Sequence, residues 1–203
     1  FPTRRSSDLT WWAAAVGDFC AERRVLLDLV VEDQEVGLKR MRAGEVAGCV
    51  CGSARPVAGA RSLLLGAMRY RGLASPDFIA RHFPRGVEAA ALAGVPAIVF
   101  GPDDLLQHRF LKDLGVEGGF IHHLCPSSEG FVRLTAGGLG WGLVPERQVQ
   151  GELARGELVE LLPGQVIDVP LYWHYWRNGG ELLASLTEHL LARAGDGLVR
   201  VSG

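Results

Sequence analysis

Strand-length apolar segments alternate with helix-like segments along the chain from Thr10, and this alternation limits the possible folds more than any other feature. The apolar runs at 25–31, 46–51 and 97–100 have the length and composition of buried strands. The segments between them carry apolar residues at helical spacing, as in the first predicted helix, 10–23. This order predicts an α/β protein in which helices cover mainly parallel sheets.

Local signals set the ends of several predicted elements. Ala43-Gly44 ends a helix over 34–42, and Ser127 is the expected N-cap of a helix over 127–136. Asp103 is the expected N-cap of a helix over 104–114. The other predicted helices are 76–82, 87–92, 145–154 and 181–193, and the other predicted strands are 120–124, 140–144, 157–161 and 169–175.

The predicted strands are too many for one sheet in a chain of 203 residues. Two βαβ units joined by extended crossings at 62–74 and 164–175 fit the pattern better. We therefore predict two Rossmann-like lobes, with residues 10–66 and 167–203 in lobe I and residues 67–166 in lobe II. This is the plan of a type 2 periplasmic-binding-protein-like module, whose ligand lies in a cleft between the lobes.

Residues 1–9 are left out of the fold prediction. They are polar and basic, show no periodicity, and lack the apolar core and cleavage site of a signal peptide. They resemble the translation of a sequencing-adapter oligonucleotide, so we expect them to be non-native. The expectation that follows is a reading frame cut at its 5′ end, with an authentic N-terminal domain missing.

Composition excludes several classes of function. The net charge is −2 and Lys and Arg form no dense run, so this chain lacks the basic surface that binds nucleic acid. The apolar stretches are too short for a membrane span. The cysteines form no CxxC pair, and we expect small buried thiols in a reducing cytoplasm instead of a disulfide or a metal site. They are Cys20, Cys49, Cys51 and Cys125.

No local pattern predicts an enzyme or a cofactor. The glycines at 138, 140 and 142 precede a strand, whereas a dinucleotide-binding loop follows one. His108, His122 and His123 do not have the spacing of metal ligands. No nucleophile elbow is present. We therefore predict no catalytic residue, no metal and no cofactor.

Six segments resemble, in order, the effector-binding domain of LysR-type transcriptional regulators. The first three are most similar to the branch that controls export of arginine and lysine, and together the six cover nearly all of residues 10–195. They are VED…MRAGEVAG at 31–48, HFPRGV at 82–87, SSEGFV at 127–132, GLGWGLVP at 138–145, GELARGEL at 151–158 and LYWH at 171–174.

The resemblance implies a sensor of a basic amino acid that acts in the cytoplasm as a homodimer or tetramer. DNA would be bound only through an N-terminal winged helix-turn-helix domain, which is absent from this sequence. The helices at 10–23 and 181–193, with nearby strands, would form an isologous dimer surface.

Polar residues that follow predicted strands are the candidate effector ligands, because ligands in open α/β lobes lie beyond the carboxyl ends of strands. Hydroxyl-bearing helix starts suit an amino acid's carboxylate, and side-chain carboxylates suit its cations. Each candidate also has a structural role open to it, as helix cap or strand end. The candidates are Thr10, Trp11, Glu32, Asp33, Asp104, Ser127 and Ser128.

Three alternatives stay open at the level of sequence. A periplasmic amino-acid-binding protein shares the two-lobed plan but requires a signal peptide upstream. An enzyme of the same fold requires a catalytic pair in the cleft, for which the sequence gives no persuasive candidate. A fragment without its first strand would not fold stably.

Overall fold

The computed structural model describes residues 9–30, 34–102 and 104–200, and within these ranges it leaves the side chains of residues 9, 10 and 34–36 undescribed. The chain forms two compact units. The described residues 69–102 and 104–167 form the central unit, and residues 9–30, 34–68 and 168–200 form the terminal unit. The predicted residues Asp103, Glu32 and Asp33, and all but the last of residues 1–9, lie outside the described residues.

Helices and strands of the terminal unit come from both ends of the chain. Its two long strands, β2 and β7, continue into the central unit. The α-helices and strands of the terminal unit are α1 (Leu9–Arg23), α2 (Gln34–Arg42), β1 (Gly48–Cys51), β2 (Ala60–Ala74), β7 (Val166–Trp176) and α7 (Gly180–Arg193).

The central unit follows the predicted alternation of strands and helices. Short 3₁₀ helices at Ala89–Gly94 and Glu146–Val149 stand where two of the helical segments were predicted. The remaining elements are α3 (Pro76–His82), β3 (Ala97–Val99), α4 (Leu106–Asp113), β4 (His122–Leu124), α5 (Ser128–Ala136), β5 (Gly142–Pro145), α6 (Gln150–Ala154) and β6 (Val159–Glu160).

Strand pairing is mostly antiparallel, so the prediction of mainly parallel sheets is wrong for the described strands. The larger sheet has the order β1-β7-β2-β5, with β6 also paired to β2. The pairs β1–β7, β2–β5 and β2–β6 are all antiparallel, whereas β3 and β4 form a parallel pair. The difference arises because each antiparallel pair contains one of the long strands β2 and β7. Helix–strand alternation does not reveal which strand such a long strand will accept as a neighbour.

The predicted buried strand at 25–31 is also wrong for its described residues. Residues 25–30 form no strand, and Val31 lies outside the described residues. Leu26 is fully exposed at 101%, and Leu27, Leu29 and Val30 are exposed too. An apolar run becomes a buried strand only when a partner strand satisfies its backbone, and no described strand pairs with this one.

Several helix ends are confirmed at the predicted residues. The hydroxyl of Ser127 accepts a hydrogen bond from the backbone N–H of Gly130 (3.1 Å), which makes it the N-cap of α5. Gly44, just after α2, has φ +73°, the left-handed conformation that commonly ends a helix. The helix α4 begins at Leu106, two residues later than predicted, because Asp104 instead accepts a hydrogen bond from the N–H of Leu106 (3.2 Å).

Each unit has its own apolar core. In the central unit, Leu73, Ile98 and Phe131 belong to one buried cluster, and the indole N–H of Trp141 donates to the carbonyl of Leu92 (3.2 Å). The terminal unit contains a second buried cluster, to which Met41 and Cys51 belong. None of the described helices combines the length and the apolar character needed to cross a membrane.

Candidate functional site

Two loops of the central unit begin at the same sheet edge. The strands β3 and β4 are parallel neighbours, with Val99 opposite Leu124. Their carboxyl ends therefore point the same way, and the loops that follow start side by side. The N–H of Cys125 donates to the carbonyl of Val99 (2.9 Å), which extends the pairing to the start of the second loop. Asp104 lies after β3 and Ser127 after β4, as the sequence predicted.

Asp104 is fixed at the end of β3 by backbone hydrogen bonds. Its Oδ2 accepts from the N–H of Phe100 (3.1 Å), and its Oδ1 accepts from the N–H of Leu106 (3.2 Å). The side chain is partly exposed. This arrangement holds a carboxylate at the sheet edge in a defined position, where it can attract a cation.

Ser127 and Ser128 occupy the start of α5 with different surroundings. Ser127 is exposed and uses its hydroxyl to cap the helix, whereas Ser128 is buried. The carbonyl of Ser128 accepts a hydrogen bond from Nε2 of Gln148 (3.2 Å). The first turn of an α-helix presents unbonded N–H groups and the positive end of its dipole, so this end of α5 suits a carboxylate.

Gly130 allows the second loop to approach α5 closely. A Cβ atom at this position would lie 3.1 Å from Sγ of Cys125 and 3.2 Å from Cβ of Ser127. These distances are shorter than ordinary van der Waals contacts. The absence of a side chain at Gly130 therefore helps to hold Ser127 over the first turn of α5.

Gln107 is a positioning residue that is not among the residues predicted from the sequence. It is fully buried on α4, and its Nε2 donates to the carbonyl of Ile98 (2.7 Å) on β3. Its Oε1 is buried and has no hydrogen-bond partner among the described residues. A sequence signal did exist, because Gln107 shares the buried face of α4 with Phe110 and Leu111.

The guanidinium of Arg71 forms ion pairs within the central unit. Its guanidinium donates to Oε1 of Glu160 (2.8 Å) and to Oε1 of Glu146 (3.1 Å). The hydrogen bond to Glu146, opposed by burial and helped by the charges of both carboxylates, raises the pKa of Arg71 above its ordinary value. This side chain links β2 to β6 and to the 3₁₀ helix after β5, and its ion pairs leave it poorly placed to bind an anion.

The other predicted ligands belong to the terminal unit. Thr10 lies in the first turn of α1, although its side chain is outside the described part. Trp11 is a core residue with 4% exposure, and its ring contacts that of Trp12 edge-on at 5.7 Å. The buried Nε1 of Trp11 has no hydrogen-bond partner in the described ranges. Glu32 and Asp33 lie in the undescribed gap at 31–33.

Comparison with known proteins identifies the family. The sequence profile of the LysR substrate binding domain matches residues 6–195. The chain belongs to this family. The HTH-type transcriptional regulator ArgP of Pseudomonas fluorescens strain Pf-5 is 73% identical over 190 residues, which are 94% of this chain and 64% of that protein.

Two further LysR-family proteins share its sequence or fold. The lysine export transcriptional regulatory protein LysG of Corynebacterium efficiens is 40% identical over 191 residues, covering 92% of this chain and 64% of LysG. The structure of full-length LysG from Corynebacterium glutamicum with bound effector Arg superposes with a TM-score of 0.83 at 35% identity. That match covers 96% of this chain and 67% of the LysG chain.

These findings confirm the resemblance to the arginine and lysine export branch and the periplasmic-binding-protein-like α/β fold of the LysR domain. They do not favour the alternative of a periplasmic solute-binding protein, because the relatives are transcriptional regulators. The chain spans 64% of the length of the ArgP and LysG relatives that it matches.

Proposed function

We propose that this chain is the effector-sensing domain of a LysR-type transcriptional regulator that responds to lysine or arginine and controls its export. The observation that carries this proposal is the arginine bound by LysG of Corynebacterium glutamicum, a protein of the same fold at 35% identity. The 73% identity to ArgP of Pseudomonas fluorescens supports the same branch of the family.

The candidate effector ligands come from lobe I, residues 10–66 and 167–203, and from lobe II, residues 67–166. In lobe II, the start of α5 at Ser127 and Ser128 would take the carboxylate of the amino acid. Asp104, held at the neighbouring strand end, would take a cation. From lobe I, Thr10 and Trp11 would contribute at the start of the first helix. The acidic residues Glu32 and Asp33 of lobe I would contribute as well.

Binding would act through the relative orientation of the lobes. An effector that binds one orientation more tightly shifts the population toward it. In an intact regulator, this shift would change how a pair of DNA-binding domains contacts DNA in the cytoplasm. Contact with DNA would be made by an N-terminal winged helix-turn-helix domain outside this sequence.

A second copy of the chain is the partner that we propose for the exposed apolar surface of the terminal unit. Residues 26, 27, 29 and 30 carry exposed apolar side chains after α1, and α7 exposes Leu182 and Leu191. Exposed apolar residues in such number are typical of protein interfaces. Burying them in a homodimer or tetramer would remove this surface from water.

The test is calorimetric titration of the full chain with lysine, arginine and citrulline. Citrulline matches arginine in shape but lacks its distal charge, so we expect binding of lysine or arginine and at least about tenfold weaker binding of citrulline, or ~1.4 kcal/mol. A chain that melts cooperatively but binds neither basic amino acid would contradict the proposal.

A matched pair of variants tests the role of Asp104. Asp104→Asn removes the charge proposed to hold a cation, and we expect at least about tenfold weaker binding of the basic amino acid. Asp113→Asn removes an equal charge from the exposed end of α4, where Asp113 lies 3.8 Å from Arg109, and should leave binding unchanged. If the two variants bind the basic amino acid with equal affinity, Asp104 is not part of the effector site.

A further inference from the structure

Three sulfur-containing side chains pack together between α2 and β1 in the terminal unit. Sγ of Cys49 lies 3.8 Å from Sδ of Met41, and Cys51 belongs with Met41 to the buried cluster against which Cys49 packs. Met41 and Cys51 are fully buried, whereas Cys49 is only partly buried. None of the cysteines forms a disulfide.

The local fold explains why these sulfur atoms converge. Alternate residues of a strand point to the same face, so Cys49 and Cys51 both face α2 from β1. Met41 lies in the last turn of α2, which packs against this strand. The helix approaches closely at Gly37, where a Cβ atom would lie 3.6 Å from Cβ of Cys49.

His174 adds a polar neighbour to this sulfur cluster. It lies opposite Cys49 in the pairing of β1 with β7, and its Nε2 is 2.8 Å from the carbonyl of Ser53, to which it donates. The hydrogen bond from Cys49, followed by the hydrogen bond and charge of His174, lowers the pKa of the Cys51 thiol, although burial opposes this effect.

We propose that the side chains of Met41, Cys49 and Cys51 bind a soft monovalent metal ion, and that this ion is copper(I). Two thiols and a thioether form a soft donor set, and such sets select copper(I) over hard cations. Metal–sulfur bonds of about 2.3 Å, as in zinc thiolates, allow one ion to bridge sulfur atoms 3.8 Å apart.

The composition of the cluster limits which metals it can hold. Within the described residues, no group of three or more His, Cys, Asp or Glu side chains is arranged around a metal site. Met41 is therefore the third ligand, and a thioether binds zinc and other harder ions poorly. Because β1 is an edge strand and Cys49 is partly exposed, an ion can enter from the Cys49 side.

Binding requires no change of oxidation state. Each thiol that is still protonated releases its proton to solvent as its thiolate coordinates copper(I), and copper remains in the cuprous state. This site belongs to the terminal unit alone. Its existence does not depend on the effector proposal.

The test is transfer of copper(I) from the coloured chelator bicinchoninate to the full chain under anaerobic, reducing conditions. We expect the chain to take up one equivalent and Cys49→Ser to bind at least tenfold more weakly. Met41→Leu keeps the volume of the side chain and should also weaken binding at least tenfold. Cys20→Ser and Cys125→Ser change cysteines outside the sulfur cluster and should leave uptake unchanged.

Sulfur coordination is read directly by X-ray absorption at the copper edge. Three sulfur neighbours are expected for the loaded chain and two for Met41→Leu. One equivalent taken up by Cys49→Ser, or equal affinity of the chain and Met41→Leu, would overturn the proposal. Thermal melting of each variant without copper verifies that any loss of binding is not a loss of fold.

Discussion

Ser127 connects the stability of α5 with the proposed effector site, because its hydroxyl caps the helix whose start would receive the carboxylate. Asp104 is similar, since its two oxygens order the loop after β3. At the scale of single residues, these polar groups therefore have a structural role before any ligand is present. Variants at these positions must separate the two roles.

Ser127→Ala should lower the free energy of unfolding by about 1 kcal/mol, because the N–H of Gly130 loses its cap. Ser127→Asp can accept the same hydrogen bond and should keep most of the stability. Urea denaturation of both variants measures the difference. Equal stability of Ser127→Ala and the parent chain would show that water replaces the cap without cost.

The pair formed by Arg155 and Glu157 gives a pH-dependent prediction. The hydrogen bond from Nε of Arg155 (2.7 Å), together with its charge, lowers the pKa of Glu157 below the ordinary 4.5. The depressed pKa means that the interaction is present above pH 4.5 and is lost as pH falls through the folded value. NMR titration of the Glu157 carboxyl carbon should show a midpoint that rises in Arg155→Gln. The matched variant Arg133→Gln, on α5, should leave that midpoint unchanged.

At the scale of elements, local signals predicted helices well and strand partners poorly. The cap at Ser127, the Pro at the start of α3 and the glycine after α2 all act within a few residues, so their effects can be read from the chain. The direction of each strand, and whether residues 25–30 form a strand, depend on which segments pack together in the fold. Nothing in a short window of sequence contains that information.

The same distinction applies to the candidate sites. Ser127 and Asp104 could be predicted because they follow strands, and the structure gives them neighbouring strand ends. Helical spacing from Phe110 and Leu111 indicates that Gln107 is buried, but its hydrogen bond to β3 depends on the packing of α4 against that strand. Cys49 and Cys51 share a face of β1 because they are two residues apart, but the approach of Met41 depends on the packing of α2.

Two glycines of the terminal unit should respond to alanine in opposite ways. Gly17 lies within α1 with no atom near its missing Cβ, so Gly17→Ala should stabilise the chain by about 0.5–1 kcal/mol. Gly44 has φ +73° after α2, where Gly44→Ala should destabilise the chain by about 1 kcal/mol. Thermal and urea unfolding measure both changes. If both substitutions change the stability in the same direction, Gly44 does not end α2 in the left-handed conformation.

At the scale of the whole molecule, the apolar side chains after α1 and on α7 make self-association the main expectation. Leu26 is the most exposed of them. A side chain this exposed buries almost no apolar surface among the described residues, so its replacement should change association and not folding.

Leu26→Glu should weaken dimer formation at least tenfold, because a buried unpaired charge opposes association. Leu139→Glu makes the same change at an exposed position of the central unit and should leave the dimer intact. Analytical ultracentrifugation over a range of concentrations measures both. A parent chain that sediments as a monomer throughout would contradict the proposed interface.

The crossing strands β2 and β7 also impose an order on biosynthesis. The central unit is one continuous stretch, 69–167, whereas the terminal unit needs segments from before and after it. The ribosome therefore completes the central unit before it has synthesised the rest of β7 and α7, which α1, α2 and β1 need to complete their packing. During that interval the future neighbours of Trp12 and Cys49 have not been synthesised. The apolar surface that these residues later bury therefore stays exposed on the nascent chain until the last segment emerges.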